Sequence, residues 1–230
     1  MQQRIDAIAG QLYEGVLAPQ AWSEALAGMC AQLQAGVFHY FTLNAGEAAV
    51  PQSASNLESF GLHHGLMQEY ETHHAHNDLR MATVQRLPVA QVMLDHEHIS
   101  ARQASQNSVY TDWLVPLGLR HTAAATVRVE GNARDFISFM RPRDAGVYGA
   151  QDKAFLEHLM PHIERAGRLR ARMGQLCGQA AWGLAALDAL LQNPALKGEA
   201  PPALCLHEPD FHEGVIGIDA GRLKDRLHRP

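Results

Sequence analysis

The chain carries 14 histidines in 230 residues, and five of them, His63, His64, His73, His74 and His76, crowd one stretch. On a helix His73 and His76 share a side with Asp78 nearby, and imidazole and carboxylate are donor types that hold a transition metal. Three ligands at a dependable spacing do not emerge, so a solvated histidine-rich face is the simpler reading. His158 and His162 stand four apart, but Pro161 disturbs that turn and no HExxH motif is present. Nucleophilic catalysis lacks its signatures as well: there is no GxSxG, no cysteine in a catalytic context and no carboxylate pair at a convincing strand end. The phosphate-cradling patterns GxGxxG and GxxxxGK[ST] are missing. These absences point to a protein that is not an enzyme and uses no cofactor. Cys30, Cys177 and Cys205 are far apart with no CxxC spacing and read as reduced thiols.

The elements that must position any site follow from periodicity. Ile5, Ile8, Leu12 and Val16 mark a first helix ending before Pro19. Trp22, Leu26, Met29 and Leu33 mark a second, which Gly36 terminates. Val37 to Leu43 is β-branched and aromatic and reads as a buried strand, followed by a loop or weak strand through Asn56. Helical spacing returns from Leu57 to about His76, with Phe60, Leu66, Met67 and Tyr70 apolar. A short strand spans Val89 to Met93, and Ser100 caps a helix carrying Val109, Tyr110, Trp113 and Leu114. The clearest hairpin pairs strands from His121 and from Ala133 around Gly131-Asn132, a dipeptide suited to the positive φ of a tight turn.

A long helical pattern begins near Gln151. Its apolar positions, among them Ile163, Met173, Leu184, Leu187 and Leu191, form a near-heptad seam that needs a partner. Pro161 predicts either one bent rod or two helices meeting there. Residues 194–230 are punctuated by Pro194, Pro201, Pro202 and Pro209 and read as an irregular tail with one strand-like stretch, GVIGID. Composition excludes wholesale disorder, with 47% hydrophobic and 19% charged residues. A net charge of −5 supplies no basic field for nucleic acid. No stretch approaches a membrane span and no signal-peptide core is present, so the expected compartment is the cytoplasm.

Five blocks occur in an order that resembles the sensory half of LuxR-type bacterial transcriptional regulators: LYEGVLAPQAWSEALAGM, YETHHAHNDLR, RLPVAQVMLDHEHIS, VYTDWLVPLGLRH and FLEHLMPHIERAGRLRARM. Together they cover most of residues 4–176, with Asp78-Leu79 where the family usually has Asp-Pro. The resemblance implies an α+β fold of GAF/PAS-like kind, an antiparallel sheet flanked by helices on both sides and followed by a long amphipathic helix. It implies a sensor domain over 1–176, a dimerisation helix continuing over 177–193, and a tail over 194–230 without the family's DNA-binding helix-turn-helix. The expected function is small-molecule sensing and homodimerisation, or heterodimerisation with a related regulator, with output through protein contact and no specific DNA binding or membrane association. Tyr70, Asp78, Trp113 and Tyr40 are the ligand candidates. Each has a plainer role too: the aromatics serve a core equally well, Asp78 suits a helix cap, and His39 or Tyr40, on alternate strand faces, points to the pocket. The interface candidates are Ile163, Met173, Leu184, Leu187 and Leu191. The competing readings are a histidine-rich metal- or small-molecule-binding stress protein and, third, an enzyme of no recognised class.

Overall fold

The computed structural model of the chain describes residues 2–44, 53–58 and 68–191. The predicted helical hairpin is present: α1 (Gln2–Glu14) buries Ile5, Ile8, Ala9 and Leu12, and α2 (Pro19–Gln32) opens with proline in its first turn and buries Trp22, Ala25, Leu26, Met29 and Cys30. The left-handed residue that ends α2 is Gln34 (φ 50°), two positions before the expected Gly36. Its own N–H bonds Ala31 O, and the next amide, Ala35 N–H, turns back to Cys30 O. These bonds use carbonyls that the helix end leaves free.

Five antiparallel strands follow in the spatial order β2-β1-β5-β4-β3. They are β1 (Val37–Asn44), β2 (Ser53–Ser55), β3 (Met93–Leu94), β4 (Leu119–Glu130) and β5 (Ala133–Pro142). The β4–β5 hairpin turns at Gly131 (φ 56°), and only this first central position takes positive φ, as in turns that place glycine there. The stretch predicted as a strand over Val89 to Met93 is strand only at Met93 and Leu94. The helix predicted from Ser100 is interrupted: Ser100 caps α5 (Ala101–Ser105) through a capping box, and Val109–Leu114 is a separate turn of wider, π-type pitch. Short helices α3 (Leu79–Val84) and α4 (Asp95–His98) complete this layer.

Alternation along the strands separates two faces. Phe38, Tyr40, Ala123, Ala125, Ile137 and Phe139 meet α1, α2 and the long helix α6 (Ala150–Leu191), which contributes Phe155, Leu156, Leu159, Met160, Ile163 and Ala166. Val37, Phe41, Phe136 and Met140 face the short helices and the Val109–Leu114 turn. The fold is therefore α+β, an antiparallel sheet with helices on both sides, followed by a long helix. Pro161 lies inside α6 without dividing it. The chain divides into two units, Met1–Arg168 and Leu169–Pro230. The tail over 194–230 and the histidines at 63 and 64 lie outside the described residues.

The structure corrects one interface expectation here. Ile163 is fully buried in the core of its own domain, so its side chain is already covered and is not available to a second chain. Met173 is partly exposed. The side chains of Leu184, Leu187 and Leu191 lie outside the described residues.

A buried polar cluster joins the sheet to α6. An extra residue in β4 between Thr126 and Arg128 brings Arg128 opposite Asp135, on the helix face rather than the face that strict alternation assigns it. Arg128 donates to Asp135 from Nε at 2.7 Å and from Nη2 at 3.2 Å, and Tyr40 Oη and Thr42 Oγ1 donate to the same carboxylate at 2.7 and 2.9 Å. A Cβ on Gly167 of α6 would sit 2.7 Å from Tyr40 Oη but 3.7 Å from Cζ. Gly167→Ala is therefore expected to cost about 1–3 kcal/mol in urea unfolding through overpacking. Adding Tyr40→Phe removes the clashing oxygen, so the double variant should lose less than the sum of the single losses; additive losses would mean that α6 accommodates the methyl elsewhere.

Candidate functional site

On the second sheet face the short helices do not fill the space above the strands. They leave a cavity of about 290 Å³ lined by His39, Phe41, Tyr70, Asp78, Arg80, Val84, Trp113, Thr122, Phe136 and Ser138, among others. This lies at the small end of ligand pockets, and its mainly apolar wall with a few convergent polar groups is the usual composition of such sites.

The polar wall begins in the histidine-rich stretch. Where the sequence predicts a continuous helix to His76, the described part is a wide turn, Tyr70–His74, followed by a tight one, Ala75–Asn77. The chain then becomes extended at Asp78, whose side chain caps α3 by accepting from Arg80 N and Met81 N. Leu79 occupies the first helical position, so this turn forms without proline. Tyr70 Oη donates to Asp78 Oδ2 at 2.6 Å. Arg80 donates to the same carboxylate from Nε at 3.0 Å and from Nη2 at 2.7 Å, and its Nη1 reaches Thr122 Oγ1 at 3.3 Å. Asp78 and Arg80 are only 4% and 8% exposed, a burial that an unpaired charge would not tolerate. The Tyr70 and His74 rings flank Trp113 at centroid distances of 5.4 and 5.8 Å.

Burial pushes the Asp78 carboxyl up, but the Arg80 guanidinium, with the hydrogen bonds from Arg80 and Tyr70, outweighs it and holds the group below its ordinary value. Burial, then the Asp78 charge, raises the Tyr70 phenol above its usual range. Burial pushes His39 down to about 4. The folded His39 thus refuses a proton that the unfolded chain accepts below about 6.5. Its contribution is complete above that pH and is lost as pH falls toward about 4, at up to about 1.4 kcal/mol per pH unit. Melting temperatures of wild type and His39→Leu measured across this window should differ in slope, the variant being flatter; equal slopes would assign the acid sensitivity to other groups.

The structure brings three of the four proposed ligand residues, Tyr70, Asp78 and Trp113, to one cavity wall. Tyr40 is corrected: it points to the opposite sheet face, edge-on to Trp22 at 5.2 Å and bonded to Asp135, and its strand neighbour His39 faces the cavity instead. Arg80 was not among the sequence candidates although it closes the YETHHAHNDLR block, and Thr122, Phe136 and Ser138 were missed too. Hairpin alternation is the signal that places those three on one face, and nothing in a single sequence says which face carries the cavity. Among the described residues no group of three His, Cys, Asp or Glu side chains could hold a metal ion. His158 Nδ1 lies 2.6 Å from Ala154 O, whereas His162 Nδ1 lies 3.2 Å from Tyr13 Oη. No helix among the described residues is long and apolar enough to cross a membrane.

This arrangement, a five-stranded antiparallel sheet with a cavity under short helices on one face and a long helix on the other, is an α/β/α architecture. Two solved structures share it. The VqsR LBD domain from Pseudomonas aeruginosa superimposes with a TM-score of 0.54 at 13% identity, covering 73% of this chain and 96% of that one. The N-acylhomoserine lactone dependent LuxR family transcription factor CepR2 from Burkholderia cenocepacia gives 0.51 at 12% identity, covering 74% of this chain and 98% of that one. The chain thus has the fold of LuxR-type ligand-binding domains. No protein-family model matches the sequence. A 36-residue segment is 50% identical to the single-stranded-DNA-specific exonuclease RecJ of Haemophilus influenzae, which is 16% of this chain and 6% of that enzyme. So short a share carries none of the exonuclease's activity across.

Proposed function

We propose that the chain is the small-molecule-sensing, dimerising domain of a LuxR-type transcriptional regulator, cytoplasmic and without catalytic activity, whose output passes through protein contacts made by α6. The observation that carries this reading is the cavity: a mainly apolar space with one polar wall, built from a buried Asp78–Arg80 ion pair, Tyr70 and Trp113, has the composition of a binding site. The fold shared with LuxR-type domains supports it at the level of architecture.

N-phenyl-1-naphthylamine, an uncharged probe that fluoresces in apolar surroundings, tests the reading directly. Wild-type protein should bind it saturably. Ala124, on the cavity floor, replaced by phenylalanine should weaken that binding at least about tenfold, a loss of about 1.4 kcal/mol, while the variant still unfolds cooperatively. Absence of saturable binding, or a filled variant that binds as well as wild type, would remove the cavity from consideration.

A further inference from the structure

The segments that bring Tyr70 and Trp113 to the cavity wall are both wide turns, Tyr70–His74 and Val109–Leu114. Ala75 N–H bonds Tyr70 O in the first, and Val115 N–H bonds Tyr110 O at 3.1 Å in the second. Each bond spans five residues rather than the four of an α-helix, a rare pitch that is frequent at functional sites. Neither turn is long enough to persist by itself, so each depends on what it meets. Tyr70 and Leu79 pack on the apolar cluster that holds Val109, Tyr110, Trp113 and Leu114, but apolar contacts are non-directional and let segments slide.

Asn107, 5% exposed, supplies a directional tie. Its Nδ2 donates to Asn77 O at 2.8 Å, across 30 residues, while its Oδ1 accepts from Val109 N at 3.2 Å. Its own carbonyl accepts from Tyr110 N at 3.0 Å, Thr111 N at 3.1 Å and Thr111 Oγ1 at 3.2 Å. Asn77 closes the first segment, and the next residue is Asp78, which caps α3 and accepts from Tyr70. One carboxamide thus holds the peptide beside Asp78 with its nitrogen and starts the turn that carries Trp113 with its oxygen. Among the described residues this is the only hydrogen bond between the two segments, and neither Asn77 nor Asn107 lines the cavity.

We infer that Asn107 is a positioning residue of this cavity: its carboxamide fixes the two turns in the register at which Tyr70 and Trp113 face one space, and so sets binding strength without touching the bound molecule. The inference rests on the small-molecule reading above.

Two replacements separate the tie from the local cap. Serine keeps an acceptor for Val109 N, as hydroxyls do in turns, but is one bond too short to reach Asn77 O; alanine removes both. Dissociation constants of N-phenyl-1-naphthylamine, measured with the full chain well below each melting transition, should rise at least about fivefold for Asn107→Ser and Asn107→Ala alike, the worth of one net hydrogen bond. Gly167→Ala, which overpacks the opposite sheet face, is the control and should lower the urea midpoint while leaving the dissociation constant unchanged. Wild-type affinity in either Asn107 variant overturns the inference. An equal loss of affinity in Gly167→Ala overturns it too, because affinity would then follow overall stability. An Asn107→Ser chain that no longer unfolds cooperatively does the same, since the tie would then hold the fold rather than the cavity. In each case saturable binding to wild type leaves the cavity reading standing, whereas wild-type protein that binds no probe removes both.

Discussion

Replacing Asp78 with alanine is expected to destabilise the domain by about 3–5 kcal/mol, the range for removing one partner of a buried ion pair. Three losses combine. The Arg80 guanidinium, 8% exposed, is left without its counter-ion. The Tyr70 hydroxyl loses its acceptor at 2.6 Å, and α3 loses its N-cap, itself worth about 1 kcal/mol. The urea midpoint should fall accordingly. A double variant, Asp78→Leu with Arg80→Met, leaves no charge unpaired and should recover most of the stability, because a buried pair replaced by apolar groups of similar volume is often close to neutral. A loss below about 1 kcal/mol for Asp78→Ala would mean that Arg80 swings out to solvent at little cost, and the packed polar wall described above would be wrong.

Leu184→Glu combined with Leu187→Glu should convert a dimer to monomers at micromolar concentration in analytical ultracentrifugation. The motive is the spacing of Met173, Leu184, Leu187 and Leu191, which continues a heptad-like seam after Ile163 and Ala166 have been consumed by the domain's own core. An unpartnered apolar stripe on a helix is an aggregation liability, and a second copy of the same helix is the symmetric way to cover it. Two glutamates per chain place four carboxylates in a two-fold seam, each costing several kcal/mol to desolvate unpaired. Wild-type monomers, or a charged variant that self-associates as wild type does, would end the dimerisation reading while leaving the cavity reading untouched.

Local rules made much of the architecture legible. The 3.6-residue spacing of Ile5, Ile8 and Leu12 and of Trp22, Leu26 and Met29 defines two helices because each helix has one apolar side to bury. Two β-branched runs meeting at Gly131-Asn132 define a hairpin because few other residues tolerate the turn. The Ser100 cap was readable for the same reason, since its partner Gln103 is only three residues away. Tyr70 and Asp78 were legible as candidates through the block that holds them, and their hydrogen bond spans only eight residues.

Long-range packing decided the rest. Whether His39 or Tyr40 sees the cavity depends on which sheet face α2 and α6 cover, and Trp22 and Gly167 claim Tyr40 from that side. Arg128 departs from alternation because one extra residue in β4 rotates it toward Asp135, and a bulge leaves no mark in a two-residue periodicity until its partner strand is known. Ile163 belongs to the same apolar stripe as Met173 in sequence, and only the sheet beneath α6 distinguishes a position that is already covered from one that is not. Arg80 is tied to Asp78 two residues away, and its contact with Thr122, 42 residues away, is what joins that pair to β4. The sequence by itself determined the two opening helices, β1 and the β4–β5 hairpin, since those depend on neighbours within a turn or two. The tertiary structure determined which side chains share a cavity, because that depends on contacts between segments whose separation along the chain carries no periodic signal.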